Sequence, residues 1–165
     1  MPIRPYHPSD LAILHAANEA SVPGVSTETE TDLARWINLA TCFVATGDDD
    51  APLGFVTLIE PGTRDYPSDN LRWFEAYCDR TGKSLIYVDR IALLPAARGK
   101  RLGEALYAAA FAFFSGRDEI GCEVNILPPN PGSHRFHERL GFQRVGECVY
   151  EPGAKSVAFY VRPLG

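Results

Sequence analysis

The order of β-rich and helical segments constrains the fold of this chain more than any other feature. The runs TCFVAT and LGFVTLIE are separated only by GDDDAP, whose Gly, Asp and Pro residues predict a hairpin between antiparallel strands. Later strand candidates are separated by helical segments, which indicate crossover connections. Because both kinds of connection occur, we expect an α/β (mixed α+β) fold with helices on the faces of one sheet.

The predicted order is strand, two helices, three strands, helix, strand, helix and two strands. The segment Pro61 to Lys83 leaves the strand pattern and carries a short helix around Leu71 to Asp79. Further helices are predicted over Arg98 to Phe114 and Ser133 to Leu140, and FQRVGECVY pairs with SVAFYVRP in a last hairpin. With 165 residues, of which 45% are hydrophobic, the chain predicts a single domain spanning residues 1–165.

Composition excludes several classes of function. The net charge of -5 and the pI near 5.3 disfavour nucleic acid and anionic membranes as partners. The sequence has neither an apolar run of about 20 residues nor a signal peptide, so a cytoplasmic protein is expected. Four widely spaced cysteines without a C-x-x-C pair disfavour disulfides and zinc, and we expect no metal: Cys42, Cys78, Cys122 and Cys148.

A basic, glycine-containing loop follows the strand that ends at Leu94. Its residues Arg98 to Gly103 read RGKRLG and lead directly into an apolar helix. Unpaired N–H groups and the positive end of the helix dipole meet at such a junction, which suits a phosphate group. Neither G-x-x-x-x-G-K-[ST] nor G-x-G-x-x-G is present. Taken alone, the loop predicts an anion site or merely a basic, solvated helix start.

Two motifs resemble the signatures of the GCN5-related N-acetyltransferase (GNAT) superfamily. RGKRLG is similar to R/Q-x-x-G-x-G/A, and NPGSHRFHERLGF, from Asn130 to Phe142, is similar to N-x-x-A-x-x-x-Y-x-x-x-G-F. The resemblance implies a mixed, mostly antiparallel sheet of six to seven strands. It also implies an acyltransferase that moves an acetyl group from acetyl-CoA to a primary amine, with a small molecule as the expected acceptor.

The resemblance implies a set of cofactor-binding residues. The main chain of Ile91, Ala92 and Leu93 would pair with the pantetheine arm, and Asn130 would bind that arm or orient the following helix. The loop would surround the pyrophosphate through Arg98, Gly99, Lys100, Arg101, Leu102, Gly103 and Glu104. Arg101 replaces the usual Gly, so we expect a helical backbone there and a side chain that reaches a phosphate.

The catalytic candidates follow from the same resemblance and from proton chemistry. His137 stands where many members have a Tyr that protonates the leaving thiolate; the alternative is that His137 only packs or caps its helix. Asp89 is the first candidate for the general base, followed by Glu123 and Glu19. Asp89 shares the strand face of Ile91 unless a bulge intervenes, and it could instead form a structural ion pair with Arg90.

The acceptor is expected between the first helices and the excursion after the third strand. Candidate contacts are Glu19, Tyr66, Asn70 and Trp73, although packing of the short helix against the core is the favoured role of Trp73. The sequence also resembles a predicted acetyltransferase subfamily with no assigned acceptor, through the motifs V-P-x-V, R-W-F, Y-V-D-R and P-P-N-P-x-S-x-x-F-H. Alternatives are a longer acyl-CoA, a protein or peptide acceptor, a non-catalytic acetyl-CoA sensor, or a site for another nucleotide. A homodimer through the final hairpin is possible.

Overall fold

A computed structural model describes residues 2–165 and contains one seven-stranded sheet with the order β1-β2-β3-β4-β5-β7-β6. All neighbouring strands are antiparallel except β4 and β5. This topology confirms the predicted mixed, mostly antiparallel sheet. The strands are β1 Ile3–Pro5, β2 Thr41–Thr46, β3 Pro52–Ile59, β4 Leu85–Leu93, β5 Glu119–Leu127, β6 Gln143–Glu151 and β7 Lys155–Pro163.

Five α-helices flank the sheet: α1 Leu11–Ala20, α2 Glu30–Asn38, α3 Asp69–Thr81, α4 Leu102–Phe113 and α5 Pro131–Arg139. The helix in the excursion begins at Asp69, because the Ser68 hydroxyl caps it by accepting from the Leu71 N–H at 3.1 Å. Helix α4 begins at Leu102, four residues later than predicted. A 3-10 turn at Pro95–Ala97 and an extended Arg98 precede it.

Each face of the sheet buries its own apolar cluster. Helix α4 covers one face through Leu102, Leu106 and Tyr107, all of which are fully buried. On the opposite face, α3 packs Phe74 against the β5–β7 region, and α1 with α2 covers β2 and β3. Buried aliphatic and aromatic side chains therefore hold these helices to the sheet, whereas Phe113 at the end of α4 is 63% exposed.

Strands β4 and β5 pair only at their beginnings. Leu85 to Tyr87 lie opposite Glu119 to Gly121, and the two strands then separate. Beyond this point β4 stays paired with β3, whereas β5 stays paired with β7. Within residues 2–165, the edge of β4 that faces β5 therefore has no strand partner from Val88 onward. The separation leaves a gap in the middle of the sheet, and the gap positions the site.

A β-bulge on β4 lies at the start of this gap. Thr57 pairs with Arg90 and Leu58 with Val88, so Asp89 has no partner on β3. After the bulge, Ile91 packs toward the α4 cluster, while Ala92 joins the cluster beneath α1. The extra residue changes the alternation of side chains. The argument that Asp89 and Ile91 share a face because they are two residues apart therefore does not apply.

Three features bear on the composition-based expectations. The four cysteines are free thiols. Across the described residues, no group of three or more His, Cys, Asp or Glu side chains is arranged to hold a metal ion. No helix between residues 2 and 165 is long and apolar enough to cross a membrane.

Candidate active site

The larger cavity, with a volume of about 1190 Å³, lies in the gap between β4 and β5. It is lined by residues 20–25, by β4 from Val88 to Leu93, by the loop into α4, and by α5. Leu94 donates its N–H to Leu53 on β3 at 2.8 Å. Because successive N–H groups of a strand point to opposite edges, the N–H of Leu93 points into the gap. The cavity thus offers main-chain donors and acceptors to an extended ligand.

The loop before α4 contains two residues in the left-handed region. Gly99 has φ of 77°, and Arg101 has φ of 60° and ψ of 23°. The expectation of a helical backbone at Arg101 is wrong: this residue is the N-cap, and its left-handed conformation turns the chain into α4. Alternation of left-handed with other conformations directs neighbouring N–H groups toward one point, an arrangement that binds anions. Gly99 and Arg101 line the cavity, whereas Lys100 is exposed outside its lining.

Neighbouring elements hold this loop in place. The Arg98 guanidinium donates to the carbonyl of Ala20 at 3.1 Å, so this side chain fastens the loop to the end of α1. A Cβ atom at Gly103 would lie 3.1 Å from Phe136, which shows how closely α4 approaches α5. Asn130 is the N-cap residue of α5, and its carbonyl accepts the His134 N–H at 3.2 Å. Loop, α1 and α5 therefore form one connected wall of the cavity.

A second cavity, of about 420 Å³, meets the first. It lies among the α1–α2 loop, the start of α3, β5 and the β6–β7 hairpin, and includes Tyr66, Asn70 and Lys155. Seven residues line both cavities: Pro23, Gly24, Val25, Asp89, Arg90, Glu123 and Asn125. Two ligands bound in the two cavities would therefore meet beside Asp89 and Glu123.

Among the titratable groups at this junction, Glu123 on β5 has the pKa that is shifted most from its ordinary value. Burial raises the pKa of its carboxyl group to about 8, and the negative charge of Asp89 adds to the effect. The Tyr87 hydroxyl donates to Glu123 Oε2 at 2.7 Å and partly offsets the increase in pKa. Near neutral pH this carboxyl can change between its protonated and ionised forms, as a general base must.

Asp89 is held in an ion pair. Arg90 Nε donates to its Oδ2 at 2.8 Å, and the Tyr66 hydroxyl lies 2.8 Å from both carboxylate oxygens. Arg90 is only 4% exposed; it also donates to Asn18 Oδ1 at 2.9 Å and lies 3.5 Å from Glu28. A buried guanidinium needs such partners. The structural ion pair considered for Asp89 is thus formed, and Glu123 is the junction carboxylate without a cationic partner among the described residues.

His137 on α5 is 4% exposed, and both of its ring nitrogens lie within hydrogen-bonding distance of protein groups. Nδ1 lies 2.8 Å from the Ser133 carbonyl, to which it can only donate, and Nε2 lies 2.7 Å from the Tyr107 hydroxyl. Burial lowers the pKa of His137 to about 4, so the neutral ring prevails at neutral pH. Its one N–H then goes to Ser133, and Nε2 accepts from Tyr107.

The sequence matches the model of the Acetyltransferase (GNAT) family over residues 11–142, most of the chain. The chain belongs to this family. A phosphinothricin N-acetyltransferase from Streptomyces coelicolor is 37% identical over 79 residues, which cover 45% of this GNAT chain and 46% of that relative. The chain thus spans about half the length of that curated relative.

Solved structures share the GNAT fold along nearly the whole chain. A phosphinothricin acetyltransferase from Sinorhizobium meliloti, in complex with AcCoA, gives a TM-score of 0.71 at 22% identity and covers 99% of this chain and 88% of its own. The ribosomal-protein-S18-alanine N-acetyltransferase from Escherichia coli also gives 0.71, at 15% identity, covering 99% and 94%. Since these two proteins are named for different acceptors, the shared fold leaves the acceptor of this GNAT chain open.

Two of the four predicted acceptor contacts of this GNAT chain lie in the smaller cavity. Tyr66 and Asn70 line it, and Asn70 Oδ1 accepts from the Tyr150 hydroxyl at 2.5 Å. Trp73 lies outside both cavities and stacks on Phe159 with ring centroids 3.9 Å apart, so it has the packing role that was considered for it. Glu19 is also outside both cavities. Its carboxylate accepts hydrogen bonds from Thr27, Asn18 and the Glu28 N–H, and these bonds stabilise the α1–α2 loop.

Several residues of this GNAT site were not singled out in the sequence. Tyr107 was read as part of an apolar helix, and its contact with His137 joins positions 30 residues apart. Asn125 and Lys155 also line the smaller cavity, and Lys155 Nζ donates to Asn125 Oδ1 at 2.7 Å. The sequence did contain a signal for Asn125, because Glu123 and Asn125 are polar residues at alternate positions of one strand and therefore lie on the same face. No comparable signal marks Lys155, which follows a turn.

Proposed function

We propose that this protein is an acetyl-CoA-dependent N-acetyltransferase that acetylates the primary amine of a small molecule by direct attack in a ternary complex. The observation that carries the proposal is the junction of two cavities at Glu123, a carboxyl whose pKa of about 8 suits a general base. The family, the AcCoA complex of the Sinorhizobium meliloti relative and the unpaired edge of β4 support acetyl-CoA as the donor.

The residues present fit acetyl-CoA. The main chain of Ile91, Ala92 and Leu93 provides an open strand edge for the pantetheine amides, as in β-augmentation. The loop with left-handed Gly99 and Arg101 provides N–H groups for the pyrophosphate. Acetyl-CoA supplies an activated thioester at the junction. Cofactor-binding candidates that line the same cavity are Arg98, Leu102, Gly103, Glu104 and Asn130, and Lys100 stays a candidate from the exposed side of the loop.

The residues at the junction divide the chemistry between them. Glu123 takes the proton of the ammonium group, directly or through water, and the free amine then attacks the thioester carbonyl. The Leu93 N–H, which points into the gap, stabilises the developing oxyanion. Asp89 stays paired with Arg90 and raises the pKa of Glu123 through its negative charge. Holding both substrates in adjoining cavities supplies the proximity.

For the leaving sulfur, we assign the proton donor to Tyr107 and an orienting role to His137. The neutral His137 ring has no N–H left to donate, because Nδ1 serves Ser133 and Nε2 accepts from Tyr107. Tyr107 lines the larger cavity, and its single O–H, which is donated to His137 Nε2, reaches the leaving sulfur by turning away from that nitrogen. His137 itself stays a candidate acid by its position in the motif, and the variants described in the Discussion separate the two assignments.

The function is tested by calorimetry with acetyl-CoA and by thiol release against a panel of acceptors. The panel contains amino acids, phosphinothricin, polyamines, aminoglycosides, amino sugars and peptides. We expect binding of acetyl-CoA, thiol release with at least one small amine, and loss of that release in Glu123→Gln. The control Glu147→Gln alters an exposed carboxylate on β6 and should retain full activity.

Other outcomes separate the alternatives. Tight binding of acetyl-CoA without thiol release from any acceptor would indicate a sensor. Turnover of peptides but not of small amines would indicate a protein acceptor. A melting temperature raised by ATP or NAD and unchanged by acetyl-CoA would indicate a site for another nucleotide and would contradict the proposal.

A further inference from the structure

The smaller cavity contains one ammonium group that lacks a carboxylate partner. Lys155, the first residue of β7, lines this cavity and donates from Nζ to Asn125 Oδ1 at 2.7 Å. No Asp or Glu within the described chain forms an ion pair with it. Asn125 itself is fixed, because its Nδ2 donates to the Pro23 carbonyl at 2.8 Å. Lys155 is therefore held at a defined place with donors left for an anion.

The other cation of the cavity, Arg90, is already engaged by carboxylates. Arg90 lies between Asp89 and Glu28, at 2.8 Å and 3.5 Å. Glu123 has no cationic partner among the described residues, and its raised pKa of about 8 lowers its average negative charge at neutral pH. Asp69, exposed at the start of α3, is a further carboxylate of the lining and forms no ion pair within residues 2–165. Lys155 is therefore the cation of this lining that no carboxylate engages.

Lys155 Nζ is bonded to Asn125, so the spacing of Asn125 and Glu123 along β5 sets the size of a ligand that bridges Lys155 and Glu123. Glu123 and Asn125 are on the same face of β5, in regular register with Phe159 and Val157, so they are about 7 Å apart along the strand. An α-amino acid places three bonds, roughly 3 Å, between its nitrogen and a carboxylate oxygen. With a hydrogen bond of about 2.8 Å at each end, it bridges about 7 to 9 Å.

We propose, on the basis of the function proposed above, that Lys155 binds the carboxylate of the acceptor and that the acceptor is a small α-amino acid. Its amine then lies beside Glu123 at the junction of the cavities. The rings of Trp36, Tyr66 and Tyr150 line the same space and suit an apolar side chain. A second anionic group is disfavoured because Asp69 would repel it. A peptide N-terminus lacks the nearby carboxylate and does not fit this arrangement.

The test compares each L-α-amino acid with its amide and its decarboxylated amine in the thiol-release assay at saturating acetyl-CoA. For the best acceptor, we expect kcat/KM for the acid to exceed that for the amide by about tenfold or more. Lys155→Met should lower kcat/KM for the acid by about tenfold or more and lower that for the amide much less. Lys155→Arg should restore part of the preference. Lys83→Met, far from the cavity and paired with Glu119, is the matched control.

Several results would overturn the assignment. Amides or amines that react as well as the acids would do so, as would equal losses for acid and amide in Lys155→Met. If no acceptor at all releases thiol, the proposed function fails. Calorimetric titration of the amino acids into the CoA-loaded protein then decides the role of Lys155 separately: binding that is lost in Lys155→Met supports it, and the absence of binding contradicts it.

Discussion

Tyr107 on α4 and His137 on α5 are joined by a hydrogen bond of 2.7 Å between the phenolic oxygen and Nε2, and both side chains are buried. This bond connects α4, which follows the loop Arg98 to Arg101, with α5, the helix of the second signature motif. It also fixes the neutral form of His137, whose other nitrogen serves Ser133. The two residues therefore act as one unit at the wall of the larger cavity.

Removing either partner of this pair should lower both turnover and stability. Tyr107→Phe removes the proposed donor to sulfur, and His137→Phe removes the group that orients it, so kcat should fall in both while the Kd for acetyl-CoA changes little. Each single variant should also lose about 1 to 3 kcal/mol of unfolding free energy, because a buried polar group remains unpaired. Urea unfolding and steady-state kinetics measure these effects.

The double variant Tyr107→Phe with His137→Phe serves as the internal control. Its loss of stability should be smaller than the sum of the two single losses, since no unpaired partner remains. Unchanged turnover in Tyr107→Phe would remove this hydroxyl from the chemistry. Unchanged turnover in His137→Phe would show that His137 neither donates a proton nor orients one.

The pKa of Glu123 should appear in the pH dependence of the enzyme. Because the base must be ionised, kcat/KM should rise with a midpoint near pH 8, and Glu123→Gln should lose both this step and about 10²- to 10⁴-fold of the rate. A step near pH 8 that persists in Glu123→Gln would assign it to the acceptor amine or to another group.

Glu123 should also make stability depend on pH. Its folded pKa of about 8 exceeds its ordinary value of 4.5, so folding favours the protonated carboxyl. This contribution is complete below about pH 4.5 and is lost as the pH rises through 8. We therefore expect the unfolding free energy of the wild type to fall relative to that of Glu123→Gln between pH 5 and pH 9. Equal pH dependences of the two proteins would contradict the raised pKa.

The left-handed backbone of Arg101 predicts opposite effects on stability and binding. Arg101→Gly should raise the unfolding free energy by about 0.5 to 1 kcal/mol, because glycine adopts φ of 60° without strain. The same change should weaken acetyl-CoA binding, and the difference should shrink at high salt. Arg101→Ala is the control, since it loses the charge and keeps the strain. A destabilised Arg101→Gly or unaltered affinity would refute this account.

Gly54 on β3 leaves room for the main chain of β4. A Cβ atom there would lie 2.6 Å from the Ala92 carbonyl oxygen and 3.1 Å from Leu93 Cα. Gly54→Ala should therefore displace the proposed pantetheine-binding stretch, lower the unfolding free energy by about 1 to 3 kcal/mol and weaken acetyl-CoA binding. Thermal unfolding and calorimetry test this. Gly116→Ala, which faces open space, should change neither quantity.

The sequence was sufficient for the sheet and its helices because each element buries a periodic apolar face. It did not predict structural features that depend on the backbone conformation of a single residue. Arginine carries no preference for a left-handed conformation, so the turn at Arg101 follows only from how the loop must enter α4. The bulge at Asp89 likewise depends on register with β3, which strand propensity does not specify.

Side-chain partners across elements were the other missing information. Periodicity placed Tyr107 in a buried helix but could not reveal that its hydroxyl meets His137. Glu19, chosen as an acid near a helix end, instead accepts a hydrogen bond from the α1–α2 loop. The carboxylate of Asp89 is held in an ion pair by Arg90. Such pairings arise from tertiary packing, whereas the order of motifs along the chain was enough to indicate the family.

The two cavities draw on different parts of the chain. The larger one depends on β4, the loop into α4 and α5, whereas the smaller one also uses the start of α3 and the β6–β7 hairpin. Substitutions in these peripheral segments can therefore accumulate without disturbing the strand edge that we propose for the donor. A directed-evolution library confined to residues 69–70 and 150–155 would search for new acceptors while the proposed donor site stays unchanged.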